Sequence, residues 1–536
     1  MSKQESMPRK MDEKSQDVTI KKVSRRVAAL NAQMADGAQF KIGMVGVGSM
    51  GSMMSLLFAE HGAEVHFFDP SEENVKSLQE EAKKISAEKK IVHQNDYKEL
   101  CESLSSGDEP KHFVFSIPHG SIGDKTVDGL EPYLKKGDVI IDCSNEHWQN
   151  TERRQKRLDP KGIHYIGCGV SGGYQSARHG PSCSPGGSEE GLKAVMPFLE
   201  QIAAKDKKGR ACTTAVGPGG SGHYVKMVHN GIEQGMMSVI AEVWFILTTG
   251  LQLSYEEVGG IFESWNKSGP LHDCFLVDIG ANICRTKNEK GEYVLAQVRD
   301  KVVQDVDESE GTGYWTCEQA VEKHVPAATI LSAHLFRCAS ADANRRISIQ
   351  KSLGGGVKPQ PIKVDNKDQF IKDLQMATYI CFLMCFAQGL HIVKKMDQQE
   401  GWKINYGNLL QLWRGGCIIQ ADHITDLLQR MYDRDDHDDD DILSNKEVGN
   451  ELSQNFSSLK NVVLKSIEAD MYVPSISQSL EFQKYSSSTE LPTQFMEAEL
   501  DYFGAHMFDL KEGPPGKPQT GEHHFEWKPA RGIFDK

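Results

Sequence analysis

No C-x-x-C pair occurs among the twelve cysteines of this 536-residue chain. Thiols scattered in that way make neither a zinc ribbon nor a thioredoxin-type motif. They read as reduced, mostly buried side chains in a reducing compartment, the cytoplasm. A basic stripe is also missing. Lys and Arg number 61 against 75 Asp and Glu, and the net charge of −14 argues against general nucleic-acid binding. Long uninterrupted apolar runs are lacking as well. The longest, Ala377 to Val393, carries Gln388 and His391 and reads as a buried helix, not a membrane span. Residues 1–38 have no apolar h-region; they are polar, mixed in charge and expected to be a disordered extension, with at most a weak targeting signal at Lys21–Arg26. The acidic run Asp433–Asp441 lacks the glycine that an EF-hand requires at its sixth position, so a solvated loop is expected there and no metal site. Gly513–Pro518 is too rich in Pro and Gly for regular structure.

What the chain has begins with a phosphate-binding fingerprint. Gln39–Val45 reads as a strand and Gly46-Val47-Gly48-Ser49-Met50-Gly51 as a G-x-G-x-x-G loop. Ser52–Ala59 reads as a helix, and Ala63–Phe68 as a second strand ending at Asp69. The first glycine permits the tight turn, the second lets a pyrophosphate approach the backbone, and the third lets helix and strand pack closely. The helix N-terminus then faces the phosphates. Strand and helix signals alternate to about residue 215, with further strands expected at His112–Ile117, Asp138–Ile141 and His164–Ile166. That pattern implies a doubly wound parallel sheet. Beyond Gly222 it becomes helical almost throughout: Tyr224–Gly250, Ala320–Ala339, Asp368–Gly389 and Asn408–Tyr432. The fold class expected is therefore an α/β Rossmann-like sheet at 39–218, a large all-α domain at 219–510 and an extended C-terminal tail at 511–536.

The second feature is a polar stripe. Lys226, His229, Asn230 and Glu233 lie at offsets 0, 3, 4 and 7, which on a helix lines them along one face. A base, an acid and two hydrogen-bonding groups in a row suit a catalytic cleft. The loop Gly169-Val170-Ser171-Gly172-Gly173 adds glycines that leave backbone amides open to a ligand.

Together these segments resemble the 6-phosphogluconate dehydrogenases, within the wider β-hydroxyacid dehydrogenase group. The stretches that carry the resemblance are Gly46–Gly51, the Asn145 region, Gly169–Gly187, Lys226–Gly235, Phe262–Lys267, Gly311–Thr316, Trp413–Ile419 and Asp501–His506. The resemblance implies oxidative decarboxylation of 6-phosphogluconate or a related sugar acid, as in the pentose phosphate pathway, with hydride passing to NAD or NADP. It assigns Lys226 as the base and Glu233 as the group that returns a proton to the enediol carbon. Lys226 must be neutral to act, so its pKa would have to be depressed by burial or a nearby cation. His229, Asn230, Ser171, Gly172, Gly173 and Asn145 would orient the substrate, and Asn145 would also touch the cofactor. A homodimer is implied, with the C-terminal tail reaching into the partner's active site.

The departures from the family pattern point elsewhere. Where NADP-dependent members carry Asn-Arg-Thr after the second strand, this chain has Asp69-Pro70-Ser71. An aspartate there accepts from a ribose 2′-hydroxyl and repels a 2′-phosphate, which favours NAD unless a cation such as Lys76 compensates. At the family's phosphate-binding tyrosine, lysine and tail arginine stand Gln234, Glu310 and Leu500, leaving Arg337 with Thr312 and His506. Each charge-assisted bond lost is worth about 1.5–3 kcal/mol. Two alternatives therefore stand beside the family's activity: a changed, unphosphorylated substrate, or a paralogue kept for binding or regulation.

Overall fold

The computed structural model describes residues 40–105, 109–305, 311–434, 441–513 and 521–527. The expectations made for residues 1–38, Glu310, residues 435–440 and residues 514–518 lie outside these. The chain forms two compact units, one ending at Ser479 and one beginning at Leu480.

The first unit opens with a seven-stranded sheet: β1 (Lys41–Val45), β2 (Glu64–Phe68), β3 (Ile91–His93), β4 (His112–Phe115), β5 (Val139–Asp142), β6 (His164–Ser171) and β7 (Ser182–Gly186). The order is β3-β2-β1-β4-β5-β6-β7. The first six strands are parallel, but β7 runs antiparallel to β6, so the expected parallel sheet differs at this edge. The physical reason is the link between them. It holds only the short Gly173–His179 helix, too little chain for a parallel crossover. Both faces of the sheet are covered. Met44, Phe67, Val114, Ile141 and Ile166 form one core, and Phe113, Phe115, Ile140 and Tyr165 the other. Alternate residues of the same strands feed opposite cores, as parallel strands buried on both sides require.

The rest of the unit is helical. The long expected helix runs from Ser221 to Phe245 and ends in one wide π-type turn, Ile246–Gly250. Ala320–Ala339 is instead two helices, Thr312–Glu322 and Ala328–Ala341. His324 sits in the left-handed region with φ 54, the Val325 N–H closes back on Ala320 O at 2.8 Å, and Pro326 bars continuation. Asn408–Tyr432 likewise divides into Tyr406–Leu412 and Asp422–Tyr432, because Gly416 turns at φ +66. The helix expected to stop at Gly389 spans Lys367–Glu400. Gly389 is there for packing: a Cβ on it would lie 2.4 Å from Ile232 Cγ1. Asn366 caps this helix through the Gln369 N–H, and Gly401 ends it at φ +67. Its apolar centre, which includes Ala377–Val393, is almost wholly buried in the protein.

The second unit contains the Thr493–Gly504 helix. Near its end, the buried Asp501 carboxylate accepts from the N–H groups of Met507 and Phe525, from His524 Nδ1 and from Trp527 Nε1.

Candidate active site

The fingerprint loop follows β1. Gly46 turns at φ +86, and a Cβ there would lie 2.3 Å from Ser116 O. A Cβ on Gly51 would meet Gly46 O at 2.1 Å, but around Gly48 there is nothing within 4 Å. The loop is therefore tight behind and open in front. The Ser49–Glu60 helix begins there with Gly48 at its N-cap and no side-chain cap, leaving its first N–H groups for a ligand. The Ser52 hydroxyl donates to Val47 O at 2.6 Å. Asp69 is 8% exposed: one carboxylate oxygen accepts from the Val47 N–H at 2.7 Å, the other from the Ser71 N–H at 2.8 Å and from Asn74 Nδ2 at 3.2 Å. It thus ties the fingerprint loop to β2, while its oxygens retain a free lone pair for a ribose hydroxyl. The loop lies where β1 neighbours β4, the point at which strand order reverses. Ligands of such sheets bind in the crevice at that point. An open glycine, an uncapped helix and an aspartate at the next strand fit a nicotinamide dinucleotide.

The polar stripe sits beside this crevice. The Ser221–Phe245 helix lies directly on β6 and β7, since a Cβ on Gly169 would meet Lys226 Cβ at 2.2 Å. His223 fixes its first turn, donating from Nε2 to Asp142 O at 2.9 Å, with Thr151 Oγ at 2.6 Å from Nδ1. Three residues on, Lys226 is 7% exposed, and its Nζ donates to Asn230 Oδ1 at 2.7 Å. The same oxygen lies 3.1 Å from His229 Nδ1, and Asn230 Nδ2 donates to Thr312 Oγ at 2.8 Å. His229 Nε2 lies 3.0 Å from Ser171 Oγ. Burial pushes the His229 imidazole well below its usual range, and the Lys226 charge adds to this against the Asn230 hydrogen bond. A neutral ring donating to Asn230 from Nδ1 must accept from Ser171 at Nε2. Glu233 lies one turn further, its carboxylate 3.7 Å from His229 Nδ1 and 23% exposed. The Thr316 hydroxyl donates to Met227 O at 2.7 Å and locks the Thr312 helix to the stripe.

The structure thus brings together Lys226, His229, Asn230, Glu233, Ser171 and Thr312. Gly172 follows Ser171 at φ +101, and a Cβ there would lie 2.2 Å from Gly416 O. Gly173, at φ +64, has nothing within 4 Å. Asn145 is exposed on the loop after β5. Gln234 is 4% exposed, with its Oε1 at 3.3 Å from His334 Nδ1. Arg337 donates to Gln304 at 3.4 Å. Leu500 and His506 belong to the second unit, both exposed.

Sequence reasoning missed an aromatic junction. The Trp315 ring stands at 5.2 Å and 78° to His119 and at 4.9 Å and 89° to His147. It brings the loops after β4 and β5 against the Thr312–Glu322 helix. Isolated histidines and a tryptophan carry no periodic signal, so only folding joins them.

With the geometry in hand, two family models match the chain. The NAD-binding domain of 6-phosphogluconate dehydrogenase matches residues 41–217, and the C-terminal domain of 6-phosphogluconate dehydrogenase matches residues 222–527. The decarboxylating 6-phosphogluconate dehydrogenase of Emericella nidulans is 43% identical over 507 residues, covering 90% of this chain and all of that one. The NADP(+)-dependent decarboxylating enzyme of Bacillus subtilis is 34% identical, covering 91% and 99%. Among solved structures, Plasmodium falciparum 6-phosphogluconate dehydrogenase, studied with its cofactor NADP+ and its substrate, superposes with a TM-score of 0.80 at 29% identity. That match covers 91% of this chain and 100% of the other.

Proposed function

The chain belongs to the 6-phosphogluconate dehydrogenase family, and from that premise we propose that it oxidises and decarboxylates 6-phosphogluconate or a related β-hydroxy sugar acid. The observation that carries the reading is the Lys226–Asn230–His229–Ser171 chain at the carboxyl edge of β6, beside the fingerprint crevice. A bound nicotinamide supplies the hydride acceptor. Lys226 takes the proton of the substrate hydroxyl, and its ammonium then polarises the ketone as the carboxylate leaves as CO₂. Glu233 returns a proton to the enediol carbon. His229 orients the substrate indirectly, because its ring nitrogens are engaged by Ser171 and Asn230. Ser171, Gly172, Gly173, Asn145, Asn230 and Thr312 hold the sugar acid.

The finer assignments belong to the same proposal. Residues 39–218 form the dinucleotide-binding domain and 219–510 the substrate and dimerisation domain, followed by the 511–536 tail. Asp69 favours NAD over NADP. The protein works in the cytoplasm as a homodimer whose tail, with His506, completes the partner's site. Exposed apolar side chains on and beside two helices support the dimer. The Ala343–Ser352 helix buries no residue in its own chain, and Leu335 and Leu353 are 67% and 66% exposed. Apolar surface of that kind calls for a partner. Sedimentation velocity should give a dimer, and a monomer at micromolar concentration would remove the tail-exchange assignment.

A second reading keeps the chemistry and changes the acid. Its support is Gln234, buried and paired with His334 where the family carries a phosphate-binding tyrosine. Steady-state kinetics on 6-phosphogluconate and gluconate, each with NAD⁺ and NADP⁺ and with CO₂ measured, separates the readings. Absence of turnover and CO₂ with every pair would overturn both in favour of a binding or regulatory paralogue.

A further inference from the structure

Arg154 is 2% exposed and lies behind the crevice, on the Trp148–Leu158 helix. Its Nε donates to Asp124 Oδ1 at 3.0 Å, Nη1 to Glu146 Oε2 at 2.7 Å, and Nη2 to Gly120 O at 2.8 Å. Glu146, also 2% exposed, is filled on both oxygens. Oε2 accepts from the Gly120 N–H at 2.9 Å as well as from Arg154, and Oε1 accepts from the His147 N–H at 2.8 Å and from Asn150 Nδ2 at 2.9 Å. A buried charge pair thus grips the loop after β4 at both polar atoms of Gly120, and holds the loop after β5 through Glu146 itself.

Both loops matter to the chemistry. The loop after β4 lies against the fingerprint turn, where a Cβ on Gly46 would meet Ser116 O at 2.3 Å, and Asn145 immediately precedes Glu146. The neighbours of the clamp, His119 and His147, meet Trp315 on the helix whose Thr312 holds Asn230. On the other side Tyr165 links Arg154 to Asp142. The carbonyl of Asp142 then receives His223 of the catalytic helix, three residues before Lys226. The guanidinium is needed for its shape: a fork with several fixed donors reaches three acceptors at once, as an ammonium on a flexible stem does not.

We propose that Arg154, through Glu146, is a positioning residue that keeps the β4 and β5 loops in register over the cofactor crevice, so that Asn145 faces a substrate bound against Lys226. This rests on the functional reading above. The test uses the full-length protein and two conservative variants, Arg154→Lys, which keeps the charge and loses the fork, and Glu146→Gln, which must turn an amide N–H against one set of donors. Cofactor dissociation constants are measured by calorimetry with NAD⁺ and NADP⁺, kcat and KM on the sugar acid, and the fraction of folded protein by scanning calorimetry. We expect cofactor binding per folded site to weaken at least threefold and kcat per folded site to fall by up to about 100-fold, the scale of a displacement near 1 Å. The double variant should lose no more than the worse single one, because both changes open one clamp. Values within twofold of wild type per folded site would overturn the proposal, as would losses that only track the unfolded fraction. Should one variant fail to fold, the other decides. Cofactor binding needs no substrate, so a wild type without turnover on sugar acids would defeat the functional reading while this measurement still decides the clamp.

Discussion

At Lys226 the amine is held by Asn230, while the base of the side chain packs against Gly169, a position with no room for a larger residue on the strand. Replacement by Met keeps the volume and removes the proposed base. Lys226→Met should abolish turnover while NAD binding stays near normal, since the fingerprint loop is untouched. Glu233→Gln should slow turnover about 10²–10⁴-fold, the usual worth of a positioned proton donor; a wild-type rate in either variant removes that residue from the mechanism. A different carboxyl contributes to the pH dependence of stability. Glu242 is 1% exposed and accepts from the Ser475 and Ile476 N–H groups and from Ser238 Oγ. Burial pushes it up to about 7, against the pull of those hydrogen bonds. A carboxyl raised in the fold contributes stability that is complete below its unfolded value near 4.3 and is lost as pH rises through 7. The loss amounts to roughly 4 kcal/mol at 1.36 kcal/mol per unit. Scanning calorimetry between pH 5 and 7.5 should show wild-type stability falling faster than that of Glu242→Gln, and parallel curves would refute the assignment.

Among the elements, the fingerprint turn and the start of the Ser221–Phe245 helix decide how the ligand is held. Asp69 anchors the Val47 N–H, and the proposed NAD preference gives it a second task, repelling a 2′-phosphate. Asp69→Ala would lose the anchor with the charge. Asp69→Asn with Pro70→Arg keeps an acceptor for the loop, removes the repulsion and adds a phosphate partner. The ratio of kcat/KM for NADP⁺ to that for NAD⁺ should rise at least about tenfold, an effect near 1.4 kcal/mol. A wild type that already prefers NADP⁺ would refute this reading of the loop. The helix itself gains its placement from glycines on both partners, Gly169 under Lys226 and Gly222, whose Cβ would lie 2.2 Å from Gly167 O. Backbone thus packs on backbone, and the lysine arrives within the same small space as Ser171.

At the scale of the whole molecule, the proposed choice of acid turns on the substrate's distal end. Gln234 is paired with His334; in the proposed reading Leu500 stands where the family carries its tail arginine, and Arg337 is the family cation retained. On that proposal a dianion would be desolvated against little net attraction. We expect a high KM for 6-phosphogluconate and better use of a less charged acid, with Gln234→Tyr, Glu310→Lys and Leu500→Arg together restoring phosphate recognition. Efficient wild-type turnover of 6-phosphogluconate, with kcat/KM in the usual 10⁴–10⁸ M⁻¹s⁻¹ range, would mean that other cations hold the phosphate.

The elements that repeat were legible in the chain itself. The strand–glycine loop–helix–strand run from Lys41 to Asp69 has a fixed local geometry, so its residues announced both the sheet and the crevice. The 0, 3, 4, 7 spacing from Lys226 to Glu233 fixed one helix face in advance, because helical geometry alone brings those side chains together. Breaks were less legible. Pro326 and Gly416 stop helices that apolar periodicity continues, while Gly389 only packs against Ile232. What tertiary structure alone decided is the meeting of distant residues. Ser171 reaches His229 across 58 positions, Thr312 reaches Asn230 across 82, and Gly120, Glu146 and Arg154 close on one another from three segments. Such contacts follow from how layers pack, and a linear pattern of residue types carries no measure of that distance.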